Sequence, residues 1–137
     1  MTRKDLQQLA VVRLKEAAHL LSFGCSDGAY YLAGYAVECA IKACIAKRTE
    51  RYEFPDKPRA EASWKHDLND LVKTARLDAT LRAAEAQQPI LNANWTIVRQ
   101  WSERSRYERR STAQARELLD AIRDRRYGAL VWLKNHW

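Results

Sequence analysis

Apolar residues recur at intervals of three and four along most of this chain. Leu6, Leu9, Ala10, Leu14, Ala17, Leu20 and Leu21 fall on one side of a helix, because 3.6 residues per turn bring positions i, i+3, i+4 and i+7 together. The pattern predicts a first helix from Thr2 or Arg3 to about Phe23, stopped by Gly24, a residue free to take positive φ. Ser26 or Asp27 is a suitable N-cap for a second helix reaching about Arg48. The two are expected to form an antiparallel hairpin.

A different pattern appears in "TERYEFPDKPRAEASWKHD", where Pro55 and Pro58 exclude one continuous helix and charges are dense. A flexible loop over about 49–65 is the expectation. Helical spacing resumes through Leu68, Leu71, Val72 and Ala75, and "DATLRAAEAQ" predicts a short helix before Pro89. Ile90 or Leu91, Trp95, Val98 and Trp101 share one side of a further helix, read as running through "ILNANWTIVRQWSERSRY". The last helix is opened by Ser111 or Thr112 and kinked or ended at Gly128. No internal repeat or low-complexity segment interrupts residues 1–137, so one domain is expected.

The second predicted helix is apolar nearly all round. Leu32, Tyr35, Ala36, Cys39, Ala43 and Ala46 form one stripe, with Gly34, Ile41 and Ile45 on the far side. Such a helix belongs at the centre of a bundle, where small residues let neighbouring backbones approach. Within it Glu38 and Lys42 stand one turn apart, in the favourable order for an ion pair. They are either a structural ion network or a ligand-contacting site.

Composition agrees with an all-α fold: four glycines, three prolines and abundant Ala, Leu, Arg and Glu. The formal charge is +7, and 16 arginines outnumber 8 lysines. Arginine's planar fork suits phosphate and carboxylate, so nucleic acid, a nucleotide or an acidic protein enters as a partner class; solvated helix faces are the alternative. Cys25, Cys39 and Cys44 are not spaced as a metal-ligand set, and no zinc or other cofactor is expected. They read as reduced thiols of a cytoplasmic protein. Glu38 and Lys42 break the best candidate membrane span. The opening residues are basic and amphipathic, but Asp5 and Glu16 are unlike a transit peptide.

Two places carry candidate chemistry. In "WSERSRYERR", Arg104, Arg106, Arg109 and Arg110 could grip phosphates while Tyr107 or Trp101 stacks on a base. The alternative is a solvated helix end whose arginines offset the helix dipole. His66 precedes Asp67 at a helix start and is either a cap-region residue or a general base. His19 and His136 add no constellation. Phosphate-binding glycine loops, "GxSxG" and "HExxH" are absent.

Taken in order, "RLKEAAHLL", "AYYLAGYAVECAIKACI", the charged loop leading to "HDL", and a tryptophan segment ending in "RY" at Arg106 and Tyr107 resemble the HEPN domain over most of the chain. The second-helix motif is the most specific part. The resemblance implies an up-and-down bundle of four or five main helices, usually dimeric, often paired with a minimal nucleotidyltransferase in toxin–antitoxin systems. It also implies that active members are metal-independent ribonucleases, marked by an arginine followed after four to six residues by a histidine. Here Arg106 matches the arginine, but Ser111, Thr112 and Ala113 stand where the histidine should be. Arg13 with His19, and Arg59 with His66, satisfy the spacing away from the motif's place and read as coincidence.

The expectation is therefore a non-catalytic or atypical HEPN protein, a homodimer binding a nucleotidyltransferase partner, a nucleotide or RNA. Arg106, Tyr107 and Arg104 are the expected contacts, with Glu38 reaching across the bundle to orient an arginine. A metal-independent ribonuclease toxin using Arg106 and a non-motif base such as His66 is the first alternative, and a structural helical dimer module the second.

Overall fold

A computed structural model describes residues 1–49 and 57–137, apart from the side chains of Lys57 and Arg59. These residues form α1 (Arg3–Ser22), α2 (Ser26–Arg48), α3 (Lys57–Ser63), α4 (Leu68–Thr74), α5 (Asp78–Gln87), α6 (Pro89–Val98), a 3-10 turn (Glu103–Tyr107), α7 (Thr112–Arg123) and α8 (Ala129–Lys134). The fold is all-α, with no strand among the described residues. No helix there is long and apolar enough to cross a membrane.

Local chemistry sets the helix ends. Thr2 caps α1, its hydroxyl accepting from the Asp5 N–H while the Asp5 carboxylate accepts from the Thr2 N–H. Gly24, at φ 80, ends it: Cys25 N–H donates to Leu20 O and Gly24 N–H to Leu21 O, the paired bonds of a Schellman motif. The same bonds close α4, from Leu77 to Val72 and from Arg76 to Lys73, but there the left-handed residue is Arg76, at φ 59.

Four expectations are corrected. Residues 50–56 of the expected loop lie outside the described residues, but Lys57–Ser63 is helical. Pro58 sits in its first turn, where a missing N–H costs nothing. Ser26 and Asp27 do not cap α2; Cys25 precedes it without a side-chain cap. Ser26 Oγ instead donates to Arg110 O at 2.7 Å, and Asp27 Oδ1 accepts from Arg110 N–H at 2.6 Å. The tryptophan helix stops at Val98, so that Trp101 can turn onto α2. The last helix divides before Gly128, because Asp124 Oδ1 accepts from the N–H groups of Arg126 and Tyr127 and folds the chain between α7 and α8.

At the centre lies α2, in contact with α1, α4, α7, α8 and the 3-10 turn. Ala33, Ala36, Val37, Ala40, Ile41, Ala43 and Cys44 are fully buried along it. Gly34 is the point of closest approach: a Cβ there would land within the Trp101 indole. Trp101 also stacks on Tyr31, with ring centroids 6.2 Å apart. Burial pushes the Cys39 thiol up to about 11 and the Cys44 thiol up to about 12, whereas Cys25 is exposed.

Gly34→Ala is expected to cost about 1–3 kcal/mol by overpacking against Trp101. Arg76→Gly should gain about 0.5–1 kcal/mol by relieving the left-handed backbone. Denaturant unfolding measures both. A thiol reagent at mildly alkaline pH should modify Cys25 alone in the native protein and all three cysteines only after unfolding, as counted by intact mass.

Candidate functional site

The site is built on the one charged side chain buried in α2. Glu38 is 2% exposed, and a carboxylate so placed requires partners. Lys42 Nζ donates to Glu38 Oε1 at 2.9 Å from one turn along the helix. The second partner comes from outside it: His66 Nδ1 lies 2.8 Å from the same oxygen. An ionised carboxylate only accepts, so the Nδ1–H donates and the other ring nitrogen is turned away from the core.

His66 reaches this position because the next helix holds it there. Asp67 caps α4, its Oδ1 accepting from Asp70 N–H at 2.9 Å. Leu68, Leu71 and Val72 then anchor that helix against the core. The ring is thus held at the mouth of the bundle, with its Nε2 3.5 Å from Glu103 Oε2. Glu103 begins the 3-10 turn, and the same Oε2 lies 3.6 Å from Arg106 Nη2. A continuous series of charged and titratable groups therefore runs from Lys42 through Glu38, His66 and Glu103 to Arg106.

Packing fixes the far side of this series. Arg106 stands over two aromatic rings, Tyr31 at 6.0 Å and Tyr107 at 5.4 Å, while Arg110 lies 4.5 Å over Tyr30. A guanidinium on an aromatic face keeps its N–H edge free for a planar or tetrahedral anion. Tyr107 is 83% exposed, its outer surface open to a base. Between His66 and the turn lies an open cleft of about 390 Å³, lined by Lys65, His66, Asp67, Ser102, Glu103 and Arg104 among others.

The expected site residues separate accordingly. Arg104, Arg106 and Tyr107 share the 3-10 turn, and His66 meets Arg106 through Glu103, a juxtaposition for which the sequence offers only the identity of the groups. Glu38 does not orient an arginine: its carboxylate is taken by Lys42 and His66, and it has no ion pair with Arg104 or Arg106. The Arg59 side chain, and with it the Arg59–His66 match, lies outside the described residues. Arg13 pairs with Glu16 at 2.8 Å instead of His19. Glu103 and Tyr31 are additions. Among the described residues no group of three or more His, Cys, Asp or Glu side chains is arranged to hold a metal ion.

Chemically, a buried carboxylate that fixes an imidazole tautomer, with an arginine one side chain away, is an arrangement able to hold a phosphate and to move a proton beside it. Glu38→Ala is expected to cost about 2–3 kcal/mol, because Lys42 and His66 lose a buried counter-charge. The pair Glu38→Leu with Lys42→Met should recover most of that in urea unfolding, while His66 loses its fixed ring orientation by NMR. No family model, curated protein or solved structure matches the chain.

Proposed function

We propose that the chain is a HEPN-type module that binds RNA or a nucleotide through the cleft between His66 and the 3-10 turn. The observation that carries this reading is Arg106, whose guanidinium lies over the rings of Tyr31 and Tyr107 and which shares one oxygen of Glu103 with His66. That guanidinium supplies charge and shape for a phosphate, and exposed Tyr107, beside it, supplies a stacking face. Arg104 borders the same cleft.

Support for the HEPN-type bundle, with α1, α2, α6 and α7 among its main helices, comes from the second-helix motif. Its Gly34 receives Trp101, and its Tyr31 receives Arg106, so the motif and the arginine turn belong to one packing unit. Exposed Val12 and Phe23, on and just after α1, suit a protein partner, either a second copy or a minimal nucleotidyltransferase of a toxin–antitoxin pair.

The Glu38–His66 contact at 2.8 Å favours one further reading, a metal-independent ribonuclease. In it His66 Nε2 takes the proton of the RNA 2′-hydroxyl while Arg106 holds the scissile phosphate.

One experiment orders these readings. Single-stranded RNA should bind with strong salt dependence, and Arg106→Ala should weaken it by about tenfold or more. Structured RNA incubated in EDTA should remain intact if the module only binds. Cleavage lost in both Arg106→Ala and His66→Ala would establish the ribonuclease instead, and absence of salt-dependent binding would leave a structural dimer module.

A further inference from the structure

Glu103 sits where an anion would be received. Its Oε2 lies 3.6 Å from Arg106 Nη2, the group that would meet a phosphate oxygen if the cleft binds nucleic acid, and 3.5 Å from His66 Nε2 beside it. Both separations exceed a good N–H···O distance, and the Glu103 side chain is 44% exposed. Open ion pairs of this kind contribute about 0–1 kcal/mol. An arriving anion therefore displaces the carboxylate at little cost.

Displacement does not remove its charge. Glu103 is tethered three residues from Arg106 on the same turn, and it stays beside whatever takes its place. The neighbouring charges give no surplus to absorb this. Lys42 is matched by Glu38 at 2.9 Å, and Lys65 faces Asp70 at 3.8 Å. Asp67 adds another carboxylate to the cleft wall, where Arg104 is the lining arginine. Although the chain carries +7, the cations around this cleft are balanced by carboxylates.

From this balance we infer that Glu103 is a specificity residue, one that admits the singly charged phosphodiester inside a chain and turns away the doubly charged terminal phosphate of a mononucleotide. A diester exchanges one negative charge for another beside Arg106. A terminal phosphate brings a second charge against Glu103 in a cleft whose lining already holds three carboxylates, Asp67, Asp70 and Glu103, against two cations, Lys65 and Arg104, and repulsion built in this way discriminates without any contact to sugar or base. The inference rests on the cleft being a nucleic-acid phosphate site.

The test compares two probes at about pH 7.5, where a phosphate monoester is largely dianionic: a 2′-deoxy dinucleotide, which cannot be cleaved through a 2′-hydroxyl, and the matching nucleoside 5′-monophosphate. Titrations are followed by NMR of the His66 ring and the arginine side chains in the wild-type chain, Glu103→Gln and Arg106→Ala. The wild type should prefer the diester by about tenfold, the size of one added charge repulsion in a half-exposed site. Glu103→Gln, close in shape and with an unchanged unfolding midpoint, should tighten both probes and abolish the preference. If Arg106→Ala loses binding while Glu103→Gln keeps the wild-type ratio, the inference about Glu103 is overturned and the phosphate site stands. If neither probe perturbs His66 or Arg106 in the wild type, the phosphate site itself is wrong and the inference falls with it.

Discussion

An ionised carboxylate inside an apolar helix has to be satisfied, and the rest of this site depends on how that is done. Lys42 alone, from one turn along α2, leaves Glu38 with part of its hydrogen-bonding capacity unused at 2% exposure. The second donor is brought in by chain connection: His66, just ahead of the Asp67 cap of α4, delivers its Nδ1 to the same oxygen. A demand that originates in core stability thereby orients an imidazole at the surface. The outward nitrogen then meets Glu103, and through it the arginine of the turn. Folding energetics and candidate chemistry are served by one contact.

A second constraint is steric and acts from the other side. Gly34 lets Trp101 lie against the α2 backbone, and Trp101 ends the approach to the 3-10 turn. The turn's arginines then meet tyrosines of α2 rather than solvent alone. Small residues in the central helix thus have a purpose beyond filling space, since they set the distance between an aromatic face and a guanidinium.

Much of the helical framework is legible in the sequence because its causes are local. Apolar spacing marks α1, α2 and α5, Gly24 takes the positive φ that ends α1, and Ser111 caps α7 with Gln114 in a reciprocal box. Departures occur where a distant partner competes with a local one. Ser26 and Asp27 have the chemistry of caps, yet bind the backbone of Arg110. Periodicity through Trp101 suggests a continuing helix, but the indole is drawn to Gly34. Arg76 carries a conformation that glycine would mark openly, and nothing in its own chemistry announces it. The site divides in the same way. Arg104, Arg106 and Tyr107 stand out as one segment, whereas the pairing of Glu38 with His66 spans residues with no periodic relation, and Glu103 looks like one more surface acid until the fold sets it between an imidazole and a guanidinium.

The bonds from Ser26 and Asp27 to Arg110 have a consequence for association. With Trp101 wedged against Gly34 before the turn and Arg110 tied to the start of α2 after it, the intervening residues are anchored at both ends. Backbone freedom in that segment is lost on folding, so a ligand of the proposed kind would not have to meet the entropy of ordering it. A surface rich in arginine is usually a brush of mobile cations; here a short length of its backbone is fixed at both ends.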